Sequence, residues 1–151
     1  MVLVNKHTIL PLQTSVAELT QYIGKPDAVE RGTIECCGYF DTPHSDPSDA
    51  VMYCYGASDF EVYGQKAVMR TIGFQSGRFK ARLDGTLVDS ATTLAHIQRL
   101  YPQAGQQGGV QKTNTASFWV ITLRTGEISD DAWVLKFQRG KLAQLEYYIP
   151  S

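Results

Sequence analysis

Alternation of apolar and polar positions is clearest between Asp59 and Phe74, in the stretch DFEVYGQKAVMRTIGF. Phe60 and Val62 fall on one face of a first strand, and Tyr63-Gly64-Gln65-Lys66 supplies a turn. Val68, Ile72 and Phe74 fall on one face of a return strand, which Arg70 interrupts. Alternation around a glycine-containing break is the pattern of a half-buried β-hairpin. The pattern returns 75 residues later in LKFQRGKLAQLEYYI, Leu135 to Ile149. There Leu135 and Phe137 stand for Phe60 and Val62, and Lys141 stands for Lys66. Ala143, Tyr147 and Ile149 take the places of Val68, Ile72 and Phe74.

A helical period repeats in the same way. Val16, Leu19, Tyr22 and Ile23 form one apolar stripe, opened by Thr14 or Ser15 as cap, with Glu18 placed to close a capping box on Ser15. Gly24-Lys25-Pro26 stops that helix. Leu94, Ile97, Leu100 and Tyr101 carry the stripe again 78 residues on, and Pro102 is read as the second stop. Two independent segments recurring at nearly equal offsets imply a duplicated unit. The expected organisation is a single domain over 1–151, with internal repeats at approximately 12–83 and 88–150.

Other runs fill in the meanders. Thr33–Phe40, Ala50–Tyr55, Phe79–Leu83 and Ala116–Arg124 read as strands, and Val2 to Leu12 as a short strand or a segment lying across the core. Asp41–Asp49 and Thr125–Asp131 read as loops, Asp84-Gly85 as a turn, and the glycine- and glutamine-rich Gln103–Thr115 as a mobile loop. The expected fold class is α+β: two tandem helix–β-meander repeats forming one antiparallel sheet, with the helices packed on one face.

At 151 residues, 43% hydrophobic and 19% charged, the chain has enough apolar content for a buried core. A net charge of −1 gives no global attraction to nucleic acid or membrane. Locally the charge is uneven: five acids and no Lys or Arg lie between Asp41 and Glu61, and five bases and no acid between Lys66 and Arg82. The start, MVLVNKHTILPLQTSV, lacks the form of a signal peptide, and no run is long enough to span a bilayer, so a cytoplasmic location is expected. Three cysteines suit a reducing compartment.

Candidate chemistry is sparse. Cys36, Cys37, His44 and Cys54 resemble a metal set in composition only. Adjacent strand residues point to opposite faces, so Cys36 and Cys37 cannot share an ion, and the spacing fits no zinc pattern. A contact between Cys54 and either Cys36 or Cys37 stays open. The histidines His7, His44 and His96 are scattered, and the pairs Asp46/Asp49 and Asp130/Asp131 sit in loop-type sequence where carboxylates are usually solvated. No nucleophile, phosphate-loop or dinucleotide motif occurs, so neither an enzyme nor a bound cofactor or metal is expected. Aromatic residues are more informative. Phe118 and Trp119, or Tyr147 and Tyr148, are strand neighbours, so one of each pair faces away from the core. Outward aromatics beside acidic loops suit a protein interface. The expected partner-binding residues are Asp41, Asp46, Asp49, Tyr53, Tyr55, Trp119, Asp130, Asp131 and Trp133.

Tyr22-Ile23-Gly24-Lys25-Pro26-Asp27 with Val62-Tyr63-Gly64-Gln65-Lys66-Ala67, and Leu100-Tyr101-Pro102 with Phe137-Gln138-Arg139-Gly140-Lys141-Leu142, carry a resemblance. A helix with a Gly-x-Pro stop, then a meander closing on an aromatic–turn–Lys–apolar run, resembles the unit of the β-lactamase-inhibitor-protein fold. The small outer-membrane assembly lipoproteins of the SmpA/OmlA (BamE-like) type use a related single unit. The chain departs from both: it shows neither the secretion signal and cysteine pair of the inhibitors nor the N-terminal lipidated cysteine of the lipoproteins. The resemblance implies a fold and a habit of binding proteins across a sheet face. The expected function is a protein-binding inhibitor, a cytoplasmic immunity protein that blocks the active site of a bacterial toxin or effector with a basic cleft. The alternatives are a chaperone-like accessory module of a secretion or envelope system, and a small ligand-binding protein or enzyme with a pocket near Arg70.

Overall fold

The computed structural model describes residues 2–4, 7–11, 14–31, 50–125 and 130–150. The expected Thr33–Phe40 strand and Asp41–Asp49 loop, with Cys36, Cys37, His44, Asp41, Asp46 and Asp49, lie outside the described residues. In chain order the elements are β1 (Val2–Val4), β2 (His7–Ile9), β3 (Thr14–Ser15), α1 (Val16–Ile23), β4 (Ala28–Arg31), β5 (Val51–Tyr55), β6 (Ser58–Tyr63) and β7 (Lys66–Gly73). They continue with β8 (Phe79–Leu83), β9 (Thr86–Val88), α2 (Leu94–Leu100), α3 (Pro102–Gln106), β10 (Gly109–Lys112), β11 (Ser117–Arg124), β12 (Ala132–Gln138) and β13 (Lys141–Tyr148). The fold is α+β and dominated by antiparallel sheet, with short helices.

The larger sheet runs β10-β11-β12-β13-β7-β6-β5-β4, with β3 added beside β7. Two meanders therefore meet at β13 and β7, through Gln144↔Gly73, Leu145↔Ile72 and Glu146↔Thr71. The tight hairpins form where the alternation breaks. Gly64 (φ 59) opens the β6–β7 turn, and Arg139 (φ 54) and Gly140 (φ 79) make the β12–β13 turn. Each turn receives the start of a helix: Val16 N–H donates to Gln65 O at 2.9 Å and Leu94 N–H to Gly140 O at 2.9 Å.

A second sheet, β2-β1-β8-β9, was not expected from the sequence. A single sheet would make β8 the next strand of the first meander. It does not pair with β7 because β13 already occupies that edge, so it turns away and takes β1 as its partner, with Val2↔Ala81 at the centre. Its alternation holds, with Phe79, Ala81 and Leu83 buried and Lys80 and Arg82 exposed. Val2, Ile9, Phe79, Ala81 and Leu83 join one core cluster with Phe60, Met69, Ile72, Phe74, Ile121, Leu135, Phe137 and Leu145 of the large sheet. Leu19 and Ile23 of α1 and Ile97 of α2 belong to the same cluster.

α1 begins as its sequence directs, with Ser15 Oγ accepting from Glu18 N–H at 3.1 Å, and ends at Gly24 (φ 99). The His7 ring stacks on Tyr22 at 4.3 Å between centroids, joining β2 to α1. The second helical stripe is narrower than expected. Ile97 is buried and Leu94 and Tyr101 pack against the core, while Leu100 is exposed. α2 stops at Leu100, just before Pro102 as expected, and Pro102 in turn opens α3 at its first position, where a missing N–H costs nothing. The stretch expected to be a loop thus holds α3 and β10.

One face assignment changes. In the β6–β7 ladder Phe60 pairs with Met69 but Asp59 pairs with Thr71, so Arg70 is the extra residue of a β-bulge. The bulge shifts side-chain parity. Ala67 and Met69 join Ile72 and Phe74 in the core, and Val68 sits on the opposite face beside Glu61. β12–β13 carries a matching irregularity, with Lys136↔Gln144 followed by Phe137↔Leu142.

Candidate functional site

Cross-strand partners share a face, so the register sorts the large sheet into two surfaces. The core face carries the rows Val110–Trp119–Phe137–Leu142, Ile121–Leu135–Leu145–Ile72 and Leu123–Trp133–Tyr147. The outer face carries a row that crosses seven strands: Thr122, Val134, Glu146, Thr71, Asp59, Cys54 and Ala28. A neighbouring row is Val120–Lys136–Gln144–Gly73.

Two ion pairs lie on the outer face. Lys136 Nζ lies 2.6 Å from Glu146 Oε1, and Arg70 Nη1 donates to Glu61 Oε1 at 3.1 Å, with the Glu61 side chain 0% exposed. Burial raises the Asp59 carboxyl above its ordinary range, opposed by hydrogen bonding from Thr71 and by the Arg70 charge, and reinforced by Glu146. Among the described residues its Oδ1 is buried without a hydrogen-bond partner. The Cys54 thiol is raised by burial first, then by Glu30, Asp59 and Asp27, which favours its protonated form. Among the described residues no three His, Cys, Asp or Glu side chains are grouped to hold a metal.

The residues expected to bind a partner do not all share this face. Tyr53 and Trp119 are half-buried against the core, and Tyr55 and Trp133 are buried within it. The Tyr55 hydroxyl donates to Gly24 O at 3.0 Å, and burial, then Tyr53, pushes the phenol up to about 12, with Arg78 opposing. Trp133 tilts onto Tyr147 at 5.0 Å. All four are expected as aromatic anchors of an interface, but strand parity turns them toward the core. The outward members of the two aromatic pairs are Phe118 and Tyr148, the latter 50% exposed. Asp130 is exposed, whereas Asp131 Oδ2 accepts from the Tyr147 hydroxyl at 2.6 Å and its carbonyl from Thr125 N–H at 3.0 Å. Asp41, Asp46 and Asp49 lie outside the described residues.

The most distinctive surface feature is the outer edge of β11. β10 covers it only from Ser117 to Val120, which leaves Ile121–Arg124 without a strand on that side among the described residues. Thr113 N–H donates to Ala116 O at 2.8 Å, closing the β10–β11 hairpin with a hydrogen-bonded pair. Alternation along an antiparallel ladder then directs the peptide groups of Phe118 and Val120 toward β10. Thr125 N–H donates to Asp131 O at 3.0 Å, which independently directs the odd-numbered residues of β11 toward β12. Both observations agree that the N–H and C=O of Thr122 and Arg124 face the open edge.

Two grooves flank this edge, and Ala104, Gln107 and Thr122 line both. The core-side groove, about 920 Å³, also meets Leu83, Asp84, Tyr101, Leu123, Arg124 and Trp133. The outer groove, about 510 Å³, meets Val120, Val134, Lys136 and Glu146. A third cavity of about 400 Å³ is lined by polar groups that bond to one another or to the backbone. There Asp27 Oδ2 accepts from Gly56 N–H at 2.8 Å, Ser58 Oγ from Gly73 N–H at 2.9 Å, and Arg78 donates to Ile23 O at 2.9 Å. Arg70 lines none of the three. The groove walls were not visible in the sequence as a site, and their one sequence marker is Tyr101-Pro102, a start signal for α3.

Comparison with protein families, with curated proteins and with solved structures gives no match for this chain. No helix among the described residues is long and apolar enough to cross a membrane.

Proposed function

We propose that the chain is a protein-binding inhibitor, a cytoplasmic immunity protein that blocks the active site of a bacterial toxin or effector. The observation that carries the reading is the outer face over β11–β13. Phe118, Val120 and Val134 are half-buried there, Tyr148 is half-exposed, and the Lys136–Glu146 pair and exposed Arg124 surround them. An apolar and aromatic centre with a charged rim is the anatomy of a protein interface. Asp130, exposed at the end of the same hairpin, adds to electrostatic steering toward a basic cleft.

The architecture behind this reading is two helix–meander repeats with both helices on the core face. Its support is a repeated hydrogen bond. Leu94, donor in the second half, lies 78 residues after Val16, and the acceptor Gly140 lies 75 after Gln65. These are the offsets at which the helical stripe and the hairpin recur in the sequence.

The test is capture of the tagged chain from its host, followed by assay of the partner. A single one-to-one partner whose enzymatic activity falls as the chain is added supports inhibition. Gln144→Arg with Tyr148→Asp, both on the outer face, should abolish capture and inhibition while leaving the melting temperature unchanged. A stoichiometric partner without an inhibited activity would instead establish an accessory, chaperone-like module.

A further inference from the structure

We infer that the open edge of β11 is a strand-addition site, which takes an extended peptide segment of a protein partner. The peptide is held by main-chain hydrogen bonds to Thr122 and Arg124, with an apolar side chain seated against Leu83, Tyr101 and Trp133. The inference rests on the protein-binding reading for the nature of the partner, and goes beyond it in naming the partner's conformation and the atoms that hold it.

The argument begins with peptide groups. Thr122 and Arg124 each carry one donor and one acceptor. Neither residue has a strand partner on the outer side, and no turn or loop backbone bond among the described residues uses either N–H. An ordinary sheet edge faces open water, as β4 and β10 do, and all residues of both strands are exposed. The β11 edge is different because it forms the floor of a groove walled by α3 and the β8–β9 turn. A recessed edge discourages association between whole sheets, since a second sheet cannot enter beside α3. A single extended chain can.

Dimensions agree. Strands rise about 3.3 Å per residue, so Ile121 to Thr125 offers room for roughly four or five residues. The groove of about 920 Å³ is of the size that holds such a segment. Side chains of an added strand alternate between its two flanks. One position faces the core-side groove, where Leu83 and Trp133 are buried and Tyr101 is half-buried, and this requires an apolar residue. The positions before and after it face the outer groove, beside Val134 and the Lys136–Glu146 pair, and suit polar residues. This is the logic of β-strand addition: the main chain gives affinity, and alternate pockets give selectivity.

The probe is a phage-displayed library of linear peptides, selected on the immobilised full chain. The expected winners share one apolar position with polar neighbours, and N-methylation at alternate peptide residues removes binding. Thr122→Pro is the decisive variant. Its N–H lies outside the internal ladder, and proline is tolerated at such an edge, so the fold should persist. Affinity should fall at least about tenfold through loss of one or two main-chain bonds. Ala104→Trp, which adds bulk to the α3 wall that both grooves share, should weaken binding likewise and serves if the proline variant does not fold. In the wild-type chain, bound peptide should slow hydrogen exchange at the Thr122 and Arg124 amides.

Failure to enrich any peptide overturns the inference. So does equal binding to Thr122→Pro and Ala104→Trp, or unchanged exchange at the two amides. A protein partner lost by Gln144→Arg with Tyr148→Asp but retained by Thr122→Pro removes strand addition and leaves the protein-binding reading standing. Peptide binding with no inhibited partner does the reverse.

Discussion

At the scale of single residues, Asp59 is the group least at ease in the fold. It sits mid-row on the outer face, with Oδ1 buried and unpaired among the described residues and with Glu146 two strands along the same row. Burial raises its carboxyl above the ordinary 3.8, so the folded state favours the protonated acid. The linkage follows from that direction. Its contribution to stability is fully present below the unfolded value and is lost as pH rises through the folded one. Asp59→Asn should therefore stabilise the protein at neutral pH by about 1 kcal/mol, the scale of one unmade buried hydrogen bond. The gain should shrink toward zero in acid. Urea unfolding of both proteins at neutral and acid pH measures this, and a pH-independent difference would show that ionisation is not the cause. The Arg70–Glu61 pair beside it is a different case. The Glu61 side chain is fully buried and accepts from Arg70, so the arginine that broke the apolar pattern in sequence has a structural use on the outer face.

At the scale of elements, turn chemistry decided which hairpins form, and it also marks where one is imperfect. Asp84 (φ 48) and Gly85 (φ 80) make the favoured Asp-Gly turn, whereas Arg139 occupies the corresponding left-handed position in the β12–β13 hairpin. Arg139→Asn should stabilise the protein by about 0.5–1 kcal/mol, because asparagine tolerates the left-handed region better than arginine. Thermal melts of the two proteins suffice, and an unchanged or lower melting point would mean that Arg139 makes a compensating contact. The elements best read from sequence were those fixed by neighbours: the Ser15–Glu18 cap, the Gly64-Gln65 turn and the alternation of Phe79, Ala81 and Leu83. What escaped depends on distant partners. Nothing near Val68 announces that a bulge at Arg70 will reverse its face. The β1–β8 pairing joins Val2 to Ala81, which no local period specifies. α3 and β10 were hidden by the glycines of this stretch, whose low propensity was outweighed by packing of Ala104 and burial of Gly105. The open edge was illegible for the same reason. Thr122 and Arg124 read as solvent-facing strand residues, and only the register at which β10 stops, opposite Val120, leaves their peptide groups without a strand partner among the described residues.

At the scale of the whole molecule, the two meanders are joined by few backbone pairs but by one continuous core. Gln144↔Gly73, Leu145↔Ile72 and Glu146↔Thr71 link β13 to β7, and Phe74 N–H donating to Ala143 O at 2.9 Å extends the seam by one bond. A seam that short would let the halves melt separately if hydrogen bonds alone held them. The core argues otherwise. Leu145 is fully buried, pairs with Ile72 across the seam and with Leu135 within its own half, and belongs to a cluster that includes Val2 and Phe79 of the smaller sheet. Burial of that kind couples the elements more strongly than the pairs at the seam. Leu145→Ala should cost about 2–5 kcal/mol, as truncation of a buried leucine does when its surroundings relax only in part. Calorimetry should show one transition in both proteins, shifted down as a whole in the variant, because a cavity at the seam weakens both halves together. Two resolved transitions would show that each meander holds its own core, and the outer-face row from Thr122 to Ala28 would then bridge two independent units instead of forming one rigid binding surface.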